Sequence, residues 1–388
     1  MKVVRKKNLG SKRSRIPWFF IVSAISLQCS CSASKQTGST LDAFKIEQSK
    51  SKTITRAADL GSGDHTSFSR PTGVAAESGR LAVADTDHNR VLIWKAIPTI
   101  STHENTKTPP PELILGQTQT DQLGPTATSL NGPSDVKFNN EQILVSDSLN
   151  NRVLIWNHLP STDGQAPDLV IGQKDLNSST PGSTAKSLLS PSGIAVDPDG
   201  DLFIADQLNN RVLYYQGIPT SDYAAATFVI GQNSFGATEA SIGPNGLNNP
   251  RGVAAANGRL AVADTDNQRV LIYHFPPTTN GSAAIRVLGQ PDFFSKGYDC
   301  SATGLNSPWS VAFKGNSLYV ADTNNHRVLV WNDVSSIQDN QPADRVFGQS
   351  DLSSCGQTSI GRIFGLSVDS QNYLWLSDSD NNLVYPTH

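Results

Sequence analysis

A twelve-residue phrase recurs along the 388-residue chain and constrains its fold more than any other feature. It reads "VADTDHNRVLIW" from Val83, "VSDSLNNRVLIW" from Val145, "IADQLNNRVLYY" from Ile204, "VADTDNQRVLIY" from Val262 and "VADTNNHRVLVW" from Val320. A worn sixth copy, "LSDSDNNLVYPT", starts at Leu376. The first Asp of each copy (Asp85, Asp147, Asp206, Asp264, Asp322, Asp378) gives spacings of 62, 59, 58, 58 and 56 residues. A period of this length with several short strands per unit is the signature of a propeller, in which one closed array forms one domain whatever its length.

Each unit contains four strand-like pieces. In the second they are "SDVKF" from Ser134, "QILVSD" from Gln142, "RVLIW" from Arg152 and "DLVIGQ" from Asp168. Runs such as "RLAVAD" and "RVLIW" are almost continuously apolar. A strand with one wet face would alternate, so these strands must be covered on both faces, as blades packed between blades are. The 30 glycines and 22 prolines supply the turns of an all-β chain. The fourth piece ends in Gly-Gln five times, at Gly116, Gly172, Gly231, Gly289 and Gly348; the sixth unit has none. The spare segment "ITRAADLGSG" at 54–63 is expected to complete the last blade and close the ring, leaving no exposed strand edge.

The phrases "ADTDHNRVLIW" and "ADTNNHRVLVW", each preceded by "PTGVA" or "PWSVA" and a Gly-containing turn, resemble NHL repeats. The resemblance covers residues 54–388. It implies a six-bladed β-propeller of four-stranded antiparallel blades. Similar propellers serve as protein- or RNA-binding modules of ubiquitin ligases, as sensor domains of bacterial kinases, and as the body of a metal-dependent amidating lyase. The pattern departs in unit six, where Leu383 replaces the Arg found at 90, 152, 211, 269 and 327. A ligase would need a Cys/His zinc domain, and the four Cys include no C-x-x-C.

The N-terminus reads as an export signal. Residues 1–28 hold seven basic residues and no acid; the basic residues precede the apolar run "IPWFFIVSAISL" from Ile16 to Leu27, the length of a signal-peptide core and too short to span a bilayer. In "QCSCSAS", Cys29 or Cys31 suits bacterial lipidation, and cleavage after Ala33 is the alternative. Residues 29–53, polar and rich in Ser, Lys, Thr and Gln, are expected to be a flexible tether. Seven of the 31 basic residues lie in the signal, so the rest carries 24 basic against 34 acidic residues, a balance that disfavours nucleic acid.

Candidate sites divide into what repeats and what does not. The pairs Asp85/Arg90, Asp147/Arg152, Asp206/Arg211, Asp264/Arg269 and Asp322/Arg327 flank a tight turn. A catalytic pair is needed once, so five copies argue for structure. "DPDGD" at 197–201 faintly resembles a calcium loop but reads better as a hairpin turn. No two of the seven His share a repeat position; no metal or cofactor is expected. Cys300 and Cys355 occupy equivalent places in adjacent linkers, each eight residues before the next innermost strand, and are expected to form a disulfide, the alternative being two free buried thiols.

The residue opening each innermost strand varies within a constant frame: Thr72, Ser134, Ser192, Arg251, Trp309 and Phe364. Asp135 and Ser310 also break a Gly kept at 73, 193, 252 and 365. Arg251, Trp309 and Phe364, with Asp135 and Ser192, are the candidate binding residues at a channel mouth; the alternative is that the aromatics plug the channel. The expected function is a non-enzymatic binding or scaffold protein of the bacterial cell envelope, lipid-anchored, with a protein, peptide or glycan partner. The alternative is an extracytoplasmic metal-dependent lyase or hydrolase.

Overall fold

In a computed structural model, residues 67–98, 110–116, 125–358 and 360–387 are described. Short β-β connections and strands apolar on both faces produce a chain of meanders: every sheet pairs its strands in sequence order, all antiparallel. The first blade comprises Pro71–Glu77, Arg80–Asp85, Arg90–Trp94 and Leu113–Gly116. The next four repeat it, and the sixth has three described strands, Ile363–Val368, Leu374–Asp378 and Leu383–Thr387. Residues 54–63, expected to supply its fourth strand, lie outside the described residues, as do residues 1–53, where a signal and tether are expected, with Cys29 and Cys31.

Six apolar clusters fill the six gaps between neighbouring blades. Ala82, Val91 and Leu115 of blade 1 pack with Val136, Leu154 and Trp156 of blade 2, and the series continues around the array. The last cluster joins Val83, Leu92 and Trp94 of blade 1 to Trp375 and Val384 of blade 6. The ring is thus closed by side-chain packing. Polar contacts add to that seam: Ser377 Oγ donates to Thr72 O at 2.8 Å, and Ala76 N donates to Ser367 Oγ at 3.0 Å.

Every innermost strand starts with a bulge. Register shifts fall between Pro71 and Gly73, Pro133 and Asp135, Pro191 and Ile194, Pro250 and Val253, Pro308 and Val311, and Ile363 and Gly365. The residue after the proline is the one the bulge re-aims. The variable series from Thr72 to Phe364 therefore occupies a position released from the ladder in every blade, alone in blades 1, 2 and 6 and together with the next residue in blades 3, 4 and 5.

Candidate functional site: the channel mouth

The recurring Asp forms the frame beneath the mouth. In blade 3, Asp206 Oδ1 accepts Leu189 N (2.7 Å), while Oδ2 accepts Asn209 Nδ2 (2.8 Å) and Arg211 Nε (2.7 Å). Arg211 then donates to the carbonyls of Ser183, Thr184 and Ser187 in the preceding linker and of Phe235 in the following one. Both side chains are fully buried. Arg152, Arg269 and Arg327 staple their linkers in the same way, and Arg90 pairs with Asp85 at 2.8 Å. Burial pushes the carboxyls of Asp147, Asp206 and Asp322 up, and that of Asp264 to about 6, against the pull of each partner Arg. These ten residues build architecture.

Gly-Gln closes the same frame. Gln173 Nε2 donates to Asn151 O (2.8 Å) and Thr180 O (2.9 Å), tying the turn to the linker. The preceding Gly172 has φ +90, and a Cβ there would meet Leu188 at 2.6 Å, so glycine is required.

One further ring of contacts was legible in the repeat but not singled out. The residue after the Asp is a hydroxyl in five blades, and it donates to the carbonyl at the start of the next blade's innermost strand. Thr86 reaches Pro133 O (2.8 Å), Ser148 Pro191 O (2.5 Å), Thr265 Pro308 O (2.7 Å) and Thr323 Ile363 O (2.7 Å); Ser379 reaches Pro71 O. Blade 3 breaks the rule with Gln207, whose Oε1 instead accepts Arg251 Nη1 at 3.4 Å. The signal was a Ser or Thr in five of six copies.

The bulge residues lie side by side around the mouth. Thr72 Oγ1 donates to Ser134 O (2.9 Å), and Ser134 Oγ donates to Ser192 O (3.2 Å). The guanidinium of Arg251 stacks on Trp309 with its Cζ 3.5 Å from the ring centroid. Trp309 meets Phe364 edge-on, centroids 4.4 Å apart. Arg251, Trp309 and Phe364 are therefore one continuous stack across blades 4, 5 and 6. Arg251 and Trp309 are half-buried, whereas Phe364 at 9% and Ser192 at 4% exposure form the wall and offer little surface. Desolvation lowers the Arg251 pKa to about 10.

Adjacent innermost strands nearly touch here, which explains the glycines: a Cβ on Gly252 would lie 2.6 Å from Trp309 O. Where the glycine is lost, the side chain bonds across the gap. Asp135 Oδ2 accepts Ile194 N (2.9 Å) and Ser310 Oγ accepts Leu366 N (3.2 Å), equivalent positions in the next blade. Asp135 is thus a blade-to-blade link; burial raises its pKa, and Lys137, 3.5 Å away, works against that.

Among the described residues no three His, Cys, Asp or Glu side chains converge as metal ligands. In "DPDGD", Asp197 Oδ1 accepts the N–H groups of Asp199 (3.0 Å) and Asp201 (2.8 Å), a turn-forming role. Cys300 and Cys355 are joined, with Cα atoms 6.0 Å apart, across the linkers feeding blades 5 and 6.

A model of the NHL repeat matches residues 68–94, 188–213, 247–273 and 305–331. NHL repeat-containing protein 2 of Gallus gallus is 37% identical over 70 residues, 18% of this chain and 9% of that protein. The chloroplastic protein SUPPRESSOR OF QUENCHING 1 of Arabidopsis thaliana is 28% identical over 283 residues, 68% of this chain. The matched region spans 25% of that relative's length. A streptogramin B lyase structure aligns over 83% of this chain and 94% of its own, with 10% identity and a TM-score of 0.44.

Proposed function

Since the chain is a six-bladed β-propeller built from NHL repeats, we propose that it is a non-enzymatic binding protein that presents the linker-bearing face to a protein, peptide or glycan. One observation carries the reading. The six blades share one frame, and the departures from it gather at the mouth as the Arg251–Trp309–Phe364 stack. A half-buried Arg on an indole is a pre-organised contact of the kind that dominates recognition patches. Rigid scaffolds with variable loops are also where binding concentrates. The reading extends to a bacterial envelope location, with Cys29 or Cys31 carrying a lipid anchor and residues 29–53 as the tether.

Affinity capture from an envelope extract, comparing the wild type with Trp309→Ala, tests it. The variant should lose most of the captured partner while its melting temperature stays within a few degrees of the wild type. Undiminished capture by a folded variant overturns the assignment of the mouth. A variant that unfolds instead marks Trp309 as a channel plug.

A further inference from the structure

Among the described residues, Arg70, Arg251 and Arg362 flank the starts of innermost strands, and two of the three are neutralised within the chain. Arg70 Nη2 lies 2.6 Å from Asp87, and Arg362 Nη2 lies 2.6 Å from Asp380. Arg251 makes no ion pair among the described residues. Its one hydrogen bond there is the long contact to Gln207, its Nε is buried with no partner, and its Nη2 has no acceptor. The carboxylate of Asp266 on the same blade attracts Arg251 without an ion-pair contact and accepts Asn249 Nδ2 at 3.0 Å. The turn next to Gln207, which bonds Arg251, carries an exposed apolar residue. Leu208, the residue after Gln207, is 51% exposed, and Leu149 at the equivalent place in blade 2 is 62% exposed. The same turn position carries Asp87, Asp266, Asn324 and Asp380 in the other blades.

We infer that Arg251 is the anchor for a carboxylate, and that the mouth takes a monoanionic acid bearing an apolar group, such as the C-terminal carboxylate of a peptide with an apolar last residue. The inference rests on the binding reading above and specifies its ligand chemistry. The donor set points to the class: the guanidinium has no ion-pair partner among the described residues, and its planar fork suits a single carboxylate. The stack on Trp309 holds the guanidinium plane, so the free Nη2 edge is pre-oriented. Leu208, next to the Gln207 that bonds Arg251, would supply the surface for the acid's apolar group.

Titration calorimetry and Trp fluorescence would use two matched probe pairs. The first is a pool of hexapeptides ending in Leu or Phe as the free acid, against the same pool amidated at the C-terminus. The second is N-acetyl-leucine against N-acetyl-leucinamide. The free acid of at least one pair should bind at least about tenfold more tightly than its amide, the loss expected for a missing charge-assisted hydrogen bond. Arg251→Gln should erase that difference, and Leu208→Ala should weaken the acid without erasing it. Stronger binding of the peptide acid than of N-acetyl-leucine identifies a chain terminus as the source, and equal binding identifies a free acid; both support the carboxylate anchor. Acid and amide binding equally, or no binding of either pair, overturns it. Because the acid-amide comparison is made on the wild type, a poorly folding variant does not remove the test. If partner capture is lost in Trp309→Ala while acid and amide bind alike, the binding face stands and the carboxylate assignment alone fails.

Discussion

At the scale of single residues, identical side chains do different work according to what surrounds them. Arg211 and Arg251 are both desolvated cations, but Arg211 meets Asp206 and four carbonyls, whereas Arg251 meets an indole and one distant amide oxygen. Removing Arg211 leaves a buried carboxylate and orphaned carbonyls, so Arg211→Met should destabilise the protein by about 3–5 kcal/mol, read from urea unfolding. Arg251→Met should cost far less. Asp135 carries a pH signature. Burial raises its folded pKa above the unfolded value, so the protonated form is the one the fold favours. The stability it contributes is full below the unfolded pKa and declines as pH rises through the raised folded value. Asp135→Asn, which cannot ionise, should therefore gain on the wild type between pH 3.5 and pH 7; an unchanged difference in urea midpoint across that range would contradict this. The turn Asp and Arg were legible because they repeat, and repetition exposed their structural role. Their bonding to carbonyls in two separate linkers was not legible, since those acceptors lie 23 to 28 residues away in sequence.

At the scale of elements, the burial of the second and third strands on both faces was written in their continuous apolar runs, and the clusters between blades bear that out. The bulge at the head of each innermost strand was not written there. No residue type marks it: the re-aimed side chain is Thr, Ser, Arg, Trp or Phe. The bulge follows from close approach of neighbouring blades, where a glycine Cβ would collide with backbone. Five of the blades are locked to the next by the hydroxyl that follows the Asp. Thr323 Oγ1 is buried and bonded to Ile363 O in the next blade. Thr323→Ala should cost about 1 kcal/mol, with Thr323→Ser close to the wild type. If both variants matched the wild type in urea, the hydroxyl would not bear on blade docking.

At the scale of the whole molecule, the ring is closed by packing of blade 6 on blade 1, whereas Leu383–Thr387 pairs on one side only among the described residues. If residues 54–63 supply the fourth strand, deleting 54–66 should lower the melting temperature by several degrees and favour self-association through the uncovered edge. An unchanged melting curve and a monomeric species would make blade 6 a three-stranded blade. The sequence by itself determined the number of units, their four-part pattern and the all-β class, because period and apolar continuity are local properties that a chain carries wherever it goes. Only the tertiary structure decided that Arg251, Trp309 and Phe364 touch. Those residues lie 58 and 55 positions apart, and contact between them depends on the closing of a ring, which brings equivalent points of successive repeats to one axis.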